Sequence, residues 1–259
     1  MARRRRRHVA ANRSTAAADV QFERELEVFR TEAENAAQFF YAYLAIHALA
    51  GAEKAVYRLL NTAPLFWNTI LGWLQTGAFV VLGRIFDQDS AHNVGRLLRL
   101  AQDNPQIFSK AALARRRQVP GKAPPEWLDD YLKHVYAPKP ADFRRLRGYV
   151  SKQRKIYLEK YQPVRHQVFA HKGLSDAAQE SALFAKTNIR EMQRMLVFLM
   201  SLYNALWQLF VNGHRPVLRP YRYSVKGMRD RAAQNARGGS VHERLVHEIE
   251  HFLKVASAA

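Results

Sequence analysis

Residues Asp19 to His47 read DVQFERELEVFRTEAENAAQFFYAYLAIH. Within that stretch Phe22, Leu26, Phe29, Ala33, Ala36, Phe40, Leu44 and His47 recur every three or four positions, which lays them on one stripe of a helix. The spacing predicts one long helix starting near Asp19 and broken at Gly51. No segment shows the two-residue alternation of a half-buried strand, apart from a faint trace at Tyr221 to Val225. The fold is therefore read as all-α, an antiparallel helical bundle.

Working outward from that helix, the same periodicity continues. A second helix is expected over Ala52 to Leu60. A third is expected from Pro64, a favourable first-turn residue, to Phe86. Its run PLFWNTILGWLQTGAFVVLG is apolar enough to raise a membrane reading. Asn68, Thr69, Gln75 and two glycines dilute it, so a buried core helix is the expectation. Asp87 or Asp89 is expected to start a helix around Val94 to Ala101. Short helices follow from Pro105 to Arg117 and from Glu126 to Val135, with a Pro- and Gly-rich loop over Gln118 to Pro125 between them. Ala141 to Tyr161 reads as a strong helix whose inner face is Leu146, Tyr149, Val150, Gln153, Ile156 and Tyr157. Pro163 is expected to interrupt it, with a short helix resuming to Lys172 and Gly173 capping it. A last long helix is expected over Ala178 to Val211, carrying Ile189, Met192, Leu196, Leu199, Tyr203, Leu206 and Phe210. The tryptophans Trp67, Trp73 and Trp207 are read as core.

Composition bounds the function. The 259 residues hold 41 Lys+Arg against 22 Asp+Glu, a formal charge of +19. A surplus of that size points to a polyanionic partner, with nucleic acid first. Cysteine is absent, which excludes disulfides, a thiol nucleophile and Cys-ligated metal centres. Arg3 to Arg7 form a run of five charges, read as a disordered basic arm over residues 1–18. No apolar stretch follows it, so no secretory leader is expected. Removing those five leaves +14, and the helical domain at 19–212 is itself basic. Arg144, Arg145, Arg147, Arg154 and Lys155 crowd one helix. After Gly213 a basic arm begins, and residues 213–259 read as that arm plus a terminal helix. His214 to Gly239 holds seven Lys/Arg and one acid, with Arg219, Tyr221, Arg222 and Tyr223 interleaved. Charge beside stacking-capable rings suits a nucleic-acid-binding arm or, equally, a surface linker. Ser240 and Glu243 make a capping box ahead of an amphipathic helix carrying Leu245, Ile249, Phe252 and Leu253. That helix is expected to dock on the domain or on a second subunit.

Two constellations bear on chemistry. His247-Glu248-Ile249-Glu250-His251 matches the HExxH pattern of zinc peptidases. A catalytic zinc takes a third protein ligand, and Phe252 to Ala259 contain no His, Asp or Glu. The pattern is read as a charged helix face, and no metal is assigned. The second stretch is Pro163-Val164-Arg165-His166-Gln167-Val168-Phe169-Ala170-His171-Lys172. It gathers Arg, His and Lys beside the basic helix. A guanidinium grips phosphate oxygens in pairs, and imidazole exchanges a proton near neutrality. A six-residue step in a straight helix separates Arg165 and His171 by ~9 Å along the axis. A helix ending near Lys172, or two copies paired across a dimer axis, would bring them together. A helix-end cluster of ion pairs and caps accounts for the same residues.

The frame RHQVFAHK resembles the ribonuclease motif of the HEPN superfamily, an Arg and a His with four to six residues between them and Asn, Asp or His usual after the Arg. Arg165 and His171 are separated by five residues, and His166 fills the polar slot. The ending AHK and the earlier segment Leu82-Gly83-Arg84-Ile85-Phe86-Asp87 are most similar to the abortive-infection AbiU-type branch. The resemblance covers roughly Asp19 to Val211. It implies a metal-independent endoribonuclease, a toxin or phage-defence effector acting through the ribose 2′-hydroxyl and leaving a cyclic phosphate. By the same resemblance His171 is the general acid/base, Arg165 the phosphate clamp and His166 an orienting or second proton-handling group, with Lys172 on the RNA. The partners implied are RNA, a second copy of the chain and, for a toxin, an antitoxin. No cofactor and no membrane is expected, and the expected compartment is the cytoplasm. Relatives encoded beside nucleotidyltransferases carry a modifiable Tyr two residues after the His, where this chain has Gly173. Two other readings remain: a non-catalytic RNA-binding HEPN protein, and a DNA-associated protein using its basic arms.

Overall fold

The computed structural model describes residues 2–118, 121–170, 176–219 and 240–258. Among them every regular element is a helix, as the periodicity requires. The order is α1 (Ala2–Ala52), α2 (Lys54–Thr62), α3 (Pro64–Phe86), α4 (Val94–Asp103), a 3₁₀ turn (Pro105–Phe108), α5 (Lys110–Arg117), α6 (Leu128–Lys133) and α7 (Pro140–Ile156). A π-helical segment (Tyr157–Tyr161), the short α8 (Gln162–Val164) and a second π segment (Arg165–Ala170) continue it. Then come α9 (Ala177–Ala185), α10 (Ile189–Asn212) and α11 (Val241–Ala258).

The chain forms two compact units. One comprises Met1–Arg30, Phe86–Arg154 and Phe198–Pro220; the other Thr31–Ile85, Lys155–Val197 and Tyr221–Ala259. The sequence division at residue 212 thus falls inside the last segment of the first unit. Helices α1, α7 and α10 each contribute residues to both units.

The first unit is organised around aromatics. Phe22 meets Phe108 edge-on at 5.3 Å and Phe210 at 5.0 Å, and Phe108 meets Phe143 at 5.6 Å. Such offset contacts add to the burial of large rings. Two arginines of α5, Arg116 and Arg117, then fasten the end of α10. Arg116 lies 4.1 Å over the Phe210 ring, donates to the carbonyls of Phe210 (2.7 Å) and Ile107 (2.9 Å), and pairs with Asp19 at 2.8 Å. Arg115 pairs with the same carboxylate, and Arg117 donates to the Val211 carbonyl at 2.9 Å. Cations near the last carbonyls of a helix complement its dipole. Helix α10 stops at Gly213, whose φ of 60° suits the left-handed cap. A β-carbon there would stand 2.8 Å from Val135 Cγ1, so only glycine fits.

The second unit buries Tyr41, Phe79, Leu82, Tyr161, Val164 and Met195. A satellite cluster of Ile46, Leu49, Val56 and Leu253 docks α11 on α1 and α2, with Trp67 packed against it. The capping box of α11 is formed: Ser240 N–H donates to Glu243 Oε2 at 2.9 Å, and Glu243 N–H to Ser240 Oγ at 3.4 Å.

Several expectations are corrected. The Arg tip read as a disordered arm is helical from Ala2, continuous with α1, because Arg and Ala are strong helix formers whatever their charge. Gly51 does not break α1, which runs to Ala52. Helix α4 is started by Asn93, whose side chain accepts from Arg96 N–H at 2.9 Å, not by Asp87 or Asp89. The span Ala178 to Val211 is two helices, because Asn188 accepts from the Arg190 and Glu191 amides and starts α10. His47 leaves the buried stripe for an exposed position. Trp73 is 70% exposed and Trp207 36%, so neither is core, and Tyr149 of α7 faces solvent. Helices α3 and α10 are long and apolar enough to cross a membrane by composition. In the C-terminal half of α3 Ala78, Phe79, Val81, Leu82, Ile85 and Phe86 are buried, whereas Leu65 and Phe66 at its start are exposed.

Candidate functional site

The segment carrying Arg165 takes its shape from Pro163. A proline inside a helix has no N–H for the carbonyl four residues back, and its ring crowds that carbonyl. The chain here does not break. It widens, with π-helical hydrogen bonding before the proline (Tyr157–Tyr161) and after it (Arg165–Ala170). The expected interruption is therefore a double π distortion, a device that recurs at functional sites.

Val164 and Tyr161 anchor this segment in the core of the second unit. Burial pushes the Tyr161 phenol up to about 12, and its hydroxyl donates to the Asn188 carbonyl at 2.9 Å. Phe169 packs edge-on against Phe79 at 5.4 Å and Phe184 at 5.9 Å. With its apolar side chains held so, the segment presents Arg165 and His166 half-buried.

The two side chains bind each other: an Nη2 hydrogen of Arg165 donates to Nε2 of His166. A guanidinium only donates, so in this arrangement Nε2 accepts and the imidazole proton sits on Nδ1. The Arg165 side chain also lies close against α3 at Gly83. A β-carbon on Gly83 would stand 2.7 Å from Arg165 Cζ and 2.8 Å from Cδ. Gly83 thus supplies the bare backbone that admits the arginine. In the sequence Gly83 carries no signal of this role beyond being a glycine inside an apolar helix. Next to it, Arg84 pairs with Glu32 at 2.9 Å.

The other nominated residues fall in different places. His171, Lys172, Tyr221, Arg222 and Tyr223 lie outside the described residues. Arg144 is exposed on α7. Arg145 pairs with Asp142 at 2.9 Å. Arg147 is half-buried. Arg154 is drawn into the fold, donating from Nε to the Phe86 carbonyl at 3.0 Å. Lys155 makes a loose surface pair with Glu159 at 3.7 Å. Arg219 is exposed, and its carbonyl accepts from Ser201. Arg144, Arg145, Arg147, Arg154 and Arg219 belong to the first unit, whereas Lys155, Arg165 and His166 belong to the second.

The first unit has its own basic cavity, of about 290 Å³, lined by Arg145, Tyr149, Arg215 and Leu218 among others. Lys152 stands 6.0 Å over the Tyr149 ring. The cavity thus brings together two guanidinium-bearing side chains and an exposed aromatic ring. Neither Arg215 nor the outward face of Tyr149 was anticipated. Arg145 is held in place by Asp142, which is buried at the start of α7. Burial pushes the Asp142 carboxyl up, but the Tyr136 hydroxyl (2.6 Å), the Lys139 amide (2.9 Å) and Arg145 outweigh it and hold it below its ordinary value.

His247 and His251 of the HExxH run are both exposed on α11, and among the described residues no three His, Asp or Glu side chains gather as a metal site.

The comparisons with known proteins bear on the family of this all-α chain. The chain matches the HEPN_AbiU2 family (AbiU2) over residues 19–227, and it belongs to that family of abortive-infection-related HEPN proteins. No curated protein and no solved structure matches it.

Proposed function

We propose that this protein is a metal-independent endoribonuclease, acting as a homodimer in the cytoplasm as a toxin or phage-defence effector whose natural restraint is an antitoxin. The observation that carries the reading is the Arg165 guanidinium, fixed by His166 on one side and by the bare backbone of Gly83 on the other. Fixing costs a long side chain its rotamer freedom, and a group that must meet charge as it develops is the one that benefits. Family membership over residues 19–227 supports the same reading.

In the proposed reaction His171 takes the proton of the ribose 2′-hydroxyl. The 2′-oxygen attacks phosphorus, the bond from phosphorus to the 5′-oxygen breaks, the departing 5′-oxygen takes a proton from the His171 imidazolium, and a 2′,3′-cyclic phosphate and a 5′-hydroxyl result. Arg165 holds the phosphate oxygens as their charge builds, and His166 keeps Arg165 aimed. Because the nucleophile is internal to RNA, DNA is not a substrate and no metal-activated water enters. Lys172, Arg144, Arg145, Arg147, Lys155, Arg219, Tyr221, Arg222 and Tyr223 would hold the rest of the strand. Arg154, donating to the Phe86 carbonyl, contributes through its remaining charge.

The test is incubation of the full-length protein with bulk RNA in EDTA, wild type against His171→Ala and Arg165→Ala. Cleavage that both variants lose is the expected result. Cleavage unchanged in the variants overturns the site. Absence of cleavage with RNA binding retained leaves the non-catalytic binder, and salt-sensitive binding to duplex DNA without RNA preference leaves the DNA-associated reading.

A further inference from the structure

The second unit contains a cavity of about 310 Å³ that the proposed chemistry does not use. Its floor is buried and aromatic, made by Phe40, Phe79 and Tyr161, and its mouth is marked by the exposed Asn188 and Ile189. Phe79 stands at its centre of contacts, 5.6 Å from Tyr161, 6.3 Å from Phe184 and 5.4 Å from Phe169. Phe169, which packs against the lining ring of Phe79, belongs to the same π segment as Arg165.

The polar lining residues are all neutral: Tyr43, Tyr161 and Thr187 carry hydroxyls, of which Tyr161 and Thr187 donate to the Asn188 and Phe184 carbonyls, and Gln75 and Asn188 carry carboxamides. The half-buried Gln75 carboxamide makes no hydrogen bond among the described residues, although it lines the cavity. Asn188 uses its side-chain oxygen on the Arg190 amide (2.8 Å) and the Glu191 amide (3.3 Å), which leaves its Nδ2 hydrogens as donors. No charged side chain lines the cavity. The occupant is therefore uncharged where it enters, flat enough to lie among rings, and edged with both donors and acceptors. A phosphate, a sugar or an aliphatic chain each fails one of these conditions. A nucleobase meets all three: its faces stack on aromatic rings, and carboxamides read its edge with a paired donor and acceptor.

We infer that this cavity is a base-recognition pocket, receiving one unstacked base of an RNA strand and reading its edge through Gln75 and Asn188. It rests on the proposed ribonuclease reading for the strand that delivers the base, and it turns that reading from indifferent cutting into cutting beside a chosen base.

The experiment is saturation-transfer NMR on the full-length protein with AMP, GMP, CMP and UMP in turn. The expected result is transfer to base protons in excess of ribose protons, with one base bound about tenfold better than the least favoured, the discrimination typical of a paired edge contact. Gln75→Met keeps the volume, removes the carboxamide and should abolish that preference; Phe184→Ala should weaken all four. Circular dichroism establishes that both variants are folded, and the wild-type spectra decide the matter if either is not. Equal or absent transfer to all four bases, or a preference indifferent to Gln75→Met, overturns the pocket. The readout needs no cleavage. Base binding without RNA cutting would overturn the ribonuclease and keep the pocket; RNA cutting without base binding would do the reverse.

Discussion

Arg165 Cζ lies 2.7 Å from the point where a β-carbon on Gly83 would stand, so the arginine and the glycine occupy each other's space. Gly83 sits in the interior of α3, where alanine would favour the helix by about 1 kcal/mol. The close approach of the guanidinium outweighs that preference. Gly83→Ala should therefore leave thermal stability within a few degrees of wild type, yet displace Arg165. Displacement of a catalytic group by about 1 Å costs on the order of 100-fold in rate. RNA cleavage by Gly83→Ala should fall by 10- to 100-fold, and the Arg165 side-chain NMR signal should shift. A variant that cuts at the wild-type rate would show that the close approach has no functional use.

His166 accepts a hydrogen bond from Arg165, and the role this gives it differs from proton transfer. Asparagine offers an acceptor without a titrating group. Cleavage should survive His166→Asn within several-fold and fall about tenfold or more in His166→Ala, since losing an aiming contact is a positioning defect. A pH–rate profile should keep its shape in His166→Asn. If instead Asn and Ala are equally inactive, His166 handles a proton itself, a loss of about 100- to 10,000-fold.

Much of the fold was legible because its elements carry strong local signals. Helix α3 runs from Pro64 to Phe86 as its first-turn proline and apolar run predict, and Ser240 with Glu243 marks the start of α11. What was hidden has a common cause. A uniform 3.6-residue period cannot reveal a π segment, so the register after Ile156 and the effect of Pro163 were misjudged. The same period, run straight through, missed the restart at Asn188 and turned Tyr149 inward. In the site, the Arg165 and His166 pair was nominated from the sequence, but Gly83 was not, because a steric vacancy leaves no chemical signature. Nor does charge counting distinguish Arg116, bound to Asp19 and two carbonyls, from an arginine that meets solvent.

That internal role of Arg116 is measurable. Its desolvated guanidinium has its pKa lowered by burial, with Asp19 opposing that shift. Removing one member of such a pair leaves the other charge uncompensated, at a cost of about 3–5 kcal/mol when fully buried. Arg115 also serves Asp19, which places Arg116→Met near the lower end, about 3 kcal/mol. Denaturant melts should show that loss, and Asp19→Asn with Arg116→Met should be less destabilised than the sum of the single variants. Full additivity would mean that the two residues do not interact.

Asp142 gives a pH dependence of definite sign. Its folded pKa is lowered, so its contribution is complete above the ordinary carboxylate value of 3.8 and is lost as the pH falls through the folded value. Wild type should lose stability steeply in that acid window. Asp142→Asn should begin about 2 kcal/mol less stable at neutral pH, the worth of hydrogen bonds to a charged acceptor, and lose less on acidification. Thermal melts from pH 7 to pH 3 test it, and parallel curves for the two proteins would remove Asp142 as the cause.

Arg145 and Arg215 line one cavity with Tyr149, and they define the clearest measurement of RNA affinity. Each phosphate contact to a single strand contributes ~0.7 to the slope of log affinity against log salt. Arg145→Gln and Arg215→Gln should each make the slope shallower by ~0.7 and weaken binding at low salt, irrespective of RNA sequence. Tyr149→Ala should weaken binding by about 1–3 kcal/mol per base stacked, while leaving the slope unchanged, because a ring removes no counterions. The contrast separates the two contributions: a slope altered by the tyrosine, or untouched by both arginines, would mean that this cavity does not hold the strand.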